Sequence, residues 1–224
     1  MNKNIPASVI KRLCRYYRFL FELEKNDVSR ISSKELSNKM GLTASQIRQD
    51  LNCFGGFGQQ GYGYSVSKLK DEIANILGIH NEYNTILIGA GNLGQAIASH
   101  MSLNKHGFNL IGVFDNNINI LGRKLSDVEI MDITRLHKFC SQNQVTTAIL
   151  CLPKSAAKKV LKELYSLGIR SFWNFSHYDI TIDYKDAIVE NVHMSDSLMT
   201  LCYKVTEAMG NNNETKEEQT FSIT

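Results

Sequence analysis

At 224 residues, 43% hydrophobic and with 25 Lys and Arg against 22 Asp and Glu, the chain has the composition of a globular protein with one large domain or two small ones. No apolar run approaches the ~20 residues of a membrane span, and Lys11, Arg12, Arg15 and Arg18 interrupt any signal-peptide core, so a cytosolic protein with no membrane partner is expected. The five cysteines (Cys14, Cys53, Cys140, Cys151, Cys202) form no C-x-x-C pair and no His/Cys cluster of ligand spacing, which argues against a disulfide framework and a metal site. They are expected to be reduced and mostly buried, a redox-reactive thiol being the alternative.

Charge is unevenly placed: residues 1–78 sum to +5 and residues 79–224 to −2. That split suggests a basic module meeting a polyanion, joined to a neutral-to-acidic module with another task. Residues 6–24 read as an amphipathic helix, with Pro6 in its first turn and Val9, Ile10, Leu13, Tyr17, Leu20 and Phe21 at helical spacing. Lys11, Arg15 and Arg18 share the other face, either as a solvated stripe or in contact with phosphates or the neighbouring module. Ser32 and Glu35 form a capping box opening a helix with Leu36 and Met40 inward; Gly41 ends it, and Thr43 with Gln46 forms a second box. Two short helices across a glycine turn are the helix-turn-helix signature. With Ile47 and Leu51 inward, Ser45, Gln46, Arg48, Gln49 and Asn52 lie near the exposed face. These are groove-reading types, since Arg forks onto guanine and Gln or Asn onto adenine; a purely structural helix pair is the alternative.

Residues 54–64 (FGGFGQQGYGY) are too glycine-rich for a helix and suit the β-hairpin wing of a winged helix, their aromatics acting as core pegs. A helix over 67–77, inward on Leu69, Ile73, Ile76 and Leu77, stops at Gly78, and the domain boundary is placed near Asn81.

From Asn84 the pattern alternates strands (85–89, 109–114, 146–152, 170–175, 187–192) with helices (92–104, 133–143, 154–167), the order of a doubly wound parallel sheet. The first strand runs into Gly89-Ala90-Gly91-Asn92-Leu93-Gly94, a G-x-G-x-x-G turn. Its first glycine would make the bend, the second admit a pyrophosphate against bare backbone, and the third pack helix on strand. Asp115 closes the next strand at the spacing of a carboxylate that binds ribose hydroxyls, favouring NAD over NADP. Pro153 opens a ligand-side loop. A tight packing turn without a ligand is the alternative.

Asp196 can cap a last helix whose Leu198, Leu201, Cys202, Val205 and Met209 form one apolar stripe, to be buried on its own sheet or on a second subunit. Residues 211–224 lack periodicity and are expected to be a disordered tail. The fold class is thus α/β: residues 1–80 a winged helix-turn-helix domain, 81–194 a dinucleotide-binding parallel-sheet domain, and 195–210 a terminal helix.

Over nearly its whole length the chain resembles the Rex redox-sensing transcriptional repressors. The motifs are Ile10-Lys11-Arg12-Leu13, Ile31 to Leu36, Gln46-Ile47-Arg48-Gln49-Asp50-Leu51, Phe54 to Gly63, Gly89 to Gly94 and Val189-Glu190-Asn191-Val192. The resemblance implies a homodimer with winged helices, Rossmann-type cores and a swapped C-terminal helix, binding a palindromic double-stranded operator and released by NADH. It implies that Ser33, Ser45, Gln46, Arg48 and Gln49 face DNA and that Gly58, Gln59, Gln60 and Gly61 follow its backbone. Gly89 to Gly94, Asp115 and Pro153 would hold NADH or NAD.

The chain departs from the family where Gln49 and Gln59-Gln60 replace usual cations, each loss lowering the salt slope by about one unit per phosphate contact. The family's ligand switch links an Arg on the first helix to a Tyr and an Asp; here Arg12 faces His100 and His193 in their places, an arrangement that cannot make the same charge pair. Two alternatives follow: a regulator with altered or lost NADH response and NAD as a structural ligand, or an NAD-dependent oxidoreductase using His177 or His193 as acid/base. The second lacks a domain to orient a substrate.

Overall fold

The computed structural model describes residues 5–57 and 62–220, the side chains of 211–220 excepted. The chain divides into two compact units, the first reaching Glu82 and taking in Asn104–Phe108, the second formed by Tyr83–Leu103 and the residues from Asn109 onward.

The first unit contains α1 (Ala7–Lys25), β1 (Arg30–Ile31), α2 (Ser33–Met40), α3 (Ala44–Asn52), β2 (Tyr64–Ser65) and α4 (Val66–Leu77). Its core joins Leu13, Tyr16 and Leu20 of α1 to Leu36, Ile47, Leu51, Leu69 and Ile73. The buried stripe of α1 is rotated from the expected one: Tyr16 is buried, Tyr17 is half-buried and Phe21 is 42% exposed. Tyr16 wins the inward place because its hydroxyl finds a buried carboxylate. Gly41 and Gly78 take left-handed φ values of 66° and 70° as helix C-caps.

The expected wing is changed in its pairing. The strand at Tyr64–Ser65 pairs antiparallel with Arg30–Ile31, ahead of the helix pair, and residues 54–57 form no strand. The consecutive glycines Gly55 and Gly56 there favour backbone freedom over a ladder. Phe54, Phe57 and Tyr64 do pack on the core, whereas Tyr62 is 70% exposed under the guanidinium of Arg30.

The second unit contains β3 (Tyr83–Ile88), α5 (Asn92–His100), β4 (Phe108–Asp115, its first residue counted with the first unit), β5 (Lys124–Leu125), β6 (Val128–Asp132), α6 (Leu136–Gln142), β7 (Thr147–Leu150), α7 (Lys154–Ser166), β8 (Ser171–Asn174), α8 (Ile180–Asp183), β9 (Ile188–Asn191) and α9 (Met194–Thr220), and a 3-10 turn at Leu103–His106 falls almost wholly in the first unit. The sheet order is β5-β6-β4-β3-β7-β8-β9. The β4–β6, β3–β7, β7–β8 and β8–β9 pairs are parallel, and β5 adds an antiparallel edge. The chain grows outward from β3 through β4 to β6, then crosses back to β7, so β3 and β7 flank the topological switch point where open α/β sheets bind ligands. The central strands bury both faces, as the four consecutive buried residues of β7 show.

Two expectations about helix ends are corrected. The helix expected over 92–104 stops at His100, because Ser102 adopts a left-handed φ of 46°. The last helix continues to Thr220, through most of the segment expected to be disordered: Glu and Lys at 214–218 are good helix formers, and an existing helix propagates at the gain of one hydrogen bond per residue. Residues 221–224 of that tail lie outside the described residues. Among the described residues, no helix is long and apolar enough to cross a membrane.

Candidate functional site

The helix pair is fixed by its caps. Ser32 Oγ accepts the Glu35 N–H at 3.1 Å while Glu35 accepts the Ser32 N–H at 2.8 Å, so the first capping box is complete, and those bonds hold the Glu35 carboxyl below its ordinary range. The second is only half formed. Thr43 Oγ1 accepts the Gln46 N–H at 3.1 Å, but the Gln46 side chain turns instead to Asp50.

Asp50 is the residue that pattern reading missed. Its side chain is 2% exposed and takes four hydrogen bonds: Oδ2 from Arg12 Nε at 2.6 Å and Tyr16 Oη at 2.7 Å, Oδ1 from Arg12 Nη2 at 2.8 Å and Gln46 Nε2 at 2.9 Å. Burial alone would raise this carboxyl, but the bonds from Arg12, Tyr16 and Gln46 together hold it below its ordinary value. Burial beside the same carboxylate drives the Tyr16 hydroxyl well above its ordinary value. The signal was present in the sequence, since Asp50 shares the inward face with Ile47 and Leu51, and a carboxylate on such a face requires a buried donor.

Around this anchor the expected reading residues divide. Ser45, Arg48, Gln49 and Asn52 are exposed on α3, while Gln46 is half-buried. Arg48 Nη1 donates to Ser33 Oγ at 3.1 Å, bringing two of the expected residues together and leaving most of the guanidinium fork open. Gly58, Gln59, Gln60 and Gly61 lie outside the described residues.

In the second unit the three glycines of the turn have separate physical reasons. Gly89 bends with φ 96°, and a Cβ there would lie 2.2 Å from the Cys151 carbonyl oxygen at the end of β7. A Cβ on Gly94 would lie 2.0 Å from the Gly89 carbonyl oxygen, so helix and strand meet backbone to backbone. Gly91, the N-cap of α5, would place a Cβ with nothing within 4 Å, leaving the approach to the helix N-terminus open.

Asp115 Oδ2 accepts the Ala90 N–H at 2.6 Å and Oδ1 the Asn117 N–H at 2.8 Å, and Gln95 Nε2 closes on the Ala90 carbonyl at 2.8 Å. A carboxylate has about four acceptor positions, so two remain for further donors. Asn92 is exposed, Leu93 half-buried, and Pro153 exposed as the N-cap of α7, at the end of the strand beside the turn. At the end of β7 burial pushes the Cys151 thiol up to about 12, and in α6 burial pushes the Cys140 thiol up to about 11. The cysteines are less buried than expected, for Cys14 and Cys202 are exposed and Cys53, Cys140 and Cys151 half-buried; they occupy surface helix positions and sheet ends.

The expected switch residues find other partners. Arg12 is committed to Asp50. His193 Nδ1 lies 2.8 Å from His177 Nδ1, with rings 19° from parallel. His100 is exposed at the end of α5. The stripe of α9 does not pack on its own sheet: Leu198, Leu201, Val205 and Met209 are all exposed.

Comparison with known proteins agrees with both halves. Residues 4–52 match a family described as "Putative DNA-binding protein N-terminus", and residues 80–178 one described as "CoA binding domain". The redox-sensing transcriptional repressor Rex of Clostridium perfringens (strain SM101) is 55% identical over 201 residues, covering 90% of this chain and 94% of its own. The chain belongs to the Rex family. The Rex protein of Thermoanaerobacter sp. (strain X514) is likewise 55% identical over 203 residues, covering 91% of this chain and 90% of its own. Among solved structures, the Rex-family repressor RSP in complex with β-NAD+ and operator DNA is 52% identical, with a TM-score of 0.85 over 95% of this chain and 98% of that one. RSP in complex with β-NADH matches with a TM-score of 0.85 at 49% identity, over 95% of this chain and 99% of that one. The winged-helix and Rossmann-type halves read from the sequence are therefore those of a Rex protein, a family of transcriptional repressors.

Proposed function

We propose that this Rex-family chain is a cytoplasmic, homodimeric, non-enzymatic repressor that binds a palindromic operator and leaves it when NADH occupies the turn at Gly89 to Gly94. The observation that carries the reading is the pairing, in one chain, of an exposed Arg48 on a buried-anchor reading helix with an open Gly91 at the end of a switch-point strand. The family's structures with β-NAD+ and operator DNA, and with β-NADH, support it.

In this reading α3 enters the major groove, with Ser45, Arg48 and Gln49 toward the bases and Ser33 toward a phosphate. Gly58 to Gly61 would follow the DNA backbone. In the second unit the N–H groups opening α5 would hold the pyrophosphate, Asp115 the adenine-side ribose, and the segment at Pro153 the far half of the dinucleotide. The nicotinamide ring is cationic in NAD and neutral in NADH, and that charge difference is what the pocket must sense. The exposed face of α9 would pack on a second copy of the chain. Two reading helices then match half-sites about 34–36 Å apart in one dimer state and not in the other. NADH shifts that balance only through unequal affinity for the two states.

Titrating a labelled palindromic duplex with the dimer at fixed salt, with NAD, NADH or neither, tests the reading. NADH weakens binding if it is right; three superimposable curves overturn the redox step, and no binding at low salt overturns DNA recognition. The commitment of Arg12 to Asp50, with histidines at positions 100 and 193, favours a second reading in which DNA binding persists and the NADH response is altered or lost. An acid/base role for His177 or His193 is not supported, since the two are hydrogen-bonded to one another and the relatives are repressors.

A further inference from the structure

A nine-residue helix such as α3 is marginal alone, so its aim is set by what it packs against. Ile47 and Leu51 supply apolar contact, which has no direction. Asp50 supplies direction. The fork of Arg12 fixes the carboxylate plane from α1 through bonds of 2.6 and 2.8 Å, and Tyr16, one turn further along α1, fixes it again at 2.7 Å. With Gln46 Nε2 at 2.9 Å, each carboxylate oxygen has two donors and the group is saturated. A glutamine reading adenine must present its carbonyl and an N–H together to the base edge, whereas the amide of Gln46 is turned along α3 toward a buried carboxylate.

We propose that Asp50 is a positioning residue for operator recognition, aiming α3 from α1 and holding Gln46 out of the base-reading set, so that Ser45, Arg48 and Gln49 carry the discrimination. The inference rests on the reading of α3 as the operator-contacting helix.

The test uses full-length protein and a palindrome selected by the wild-type chain from randomised duplexes. Affinities are measured at fixed salt for that duplex, for its single-base-pair variants and for a scrambled duplex. Asp50→Asn is expected to lower the ratio of selected to scrambled affinity by roughly tenfold or more, with scrambled binding little changed. Gln46→Ala is expected to scale all single-pair variants by a common factor, leaving the profile of base preference intact. A profile flattened at one position in Gln46→Ala shows that Gln46 reads a base and overturns the inference, as does an unchanged ratio in Asp50→Asn. If Asp50→Asn does not fold, Tyr16→Phe keeps the ion pair and takes its place, with a severalfold fall in the ratio expected and an unchanged ratio overturning the inference. Wild-type protein that selects no sequence overturns the operator reading itself, and this inference with it.

Discussion

The carboxylate of Asp115 and the backbone N–H of Ala90 meet at 2.6 Å, tying the end of β4 to the glycine turn that follows β3. The acid expected to grip the ribose therefore also shapes the turn expected to grip the pyrophosphate. Asp115→Ala is expected to weaken NADH binding by about 1.5–3 kcal/mol, the range for a hydrogen bond to a charged group. Isothermal titration measures the loss, and NADPH should lose less than NADH because the carboxylate that repels a 2′-phosphate is gone.

Gly91 and Gly94 separate binding from folding. Gly94→Ala forces a Cβ to within 2.0 Å of a backbone oxygen and is expected to cost about 3 kcal/mol or more in thermal unfolding. Gly91→Ala projects into open space at φ −70°, so stability should change by no more than about 0.5 kcal/mol. NADH fluorescence titration of the Gly91 variant should nevertheless show binding reduced roughly tenfold or more, since in the proposed function the added methyl would stand where the pyrophosphate approaches.

Among the described residues Arg48 makes one side-chain hydrogen bond, to Ser33, and in the proposed function the rest of its fork is free for DNA. Arg48→Ala is expected to weaken operator binding by about 1–3 kcal/mol and to relax preference at one base position. Fluorescence anisotropy on altered duplexes reads both effects. A uniform loss on every duplex, with the salt slope reduced by about one, would place Arg48 on a phosphate instead.

The Asp50 carboxyl is held below its ordinary value, so its contribution to stability is full above the unfolded value of about 4 and fades as pH falls through the lower folded value. Wild type should exceed Asp50→Asn by about 3 kcal/mol at neutral pH, because the variant leaves the Arg12 charge unpaired. Urea unfolding from pH 7 downward should show the two curves converging below about pH 4.

Leu201 is 54% exposed on a stripe shared with Leu198 and Val205, too apolar to remain wet. Leu201→Glu is expected to shift the mass measured by light scattering from two chains toward one of 25.3 kDa. Cys202, on the same helix, should react with a thiol reagent faster in that variant than in the wild-type dimer.

The sequence alone determined the two-part architecture, the capped helix pair and the bend at Gly89 with the close packing at Gly94, because caps, hydrophobic period and glycine spacing are local properties. It did not reveal β6, which Ser126 and Asp127 join to β5 by a left-handed two-residue turn, or the pairing of β2 with β1 across 32 intervening residues. Gln46 read as half of a capping box and as a base reader, yet its amide was drawn to Asp50 by a buried charge that only packing creates. The family resemblance places Arg12 in a ligand switch, and nothing in the sequence shows its bond to Asp50, which lies 38 residues away on another helix where no spacing rule joins the two. What the tertiary structure decided was which polar groups are buried together, since the cost of an unpaired buried charge is felt only once the chain has closed around it.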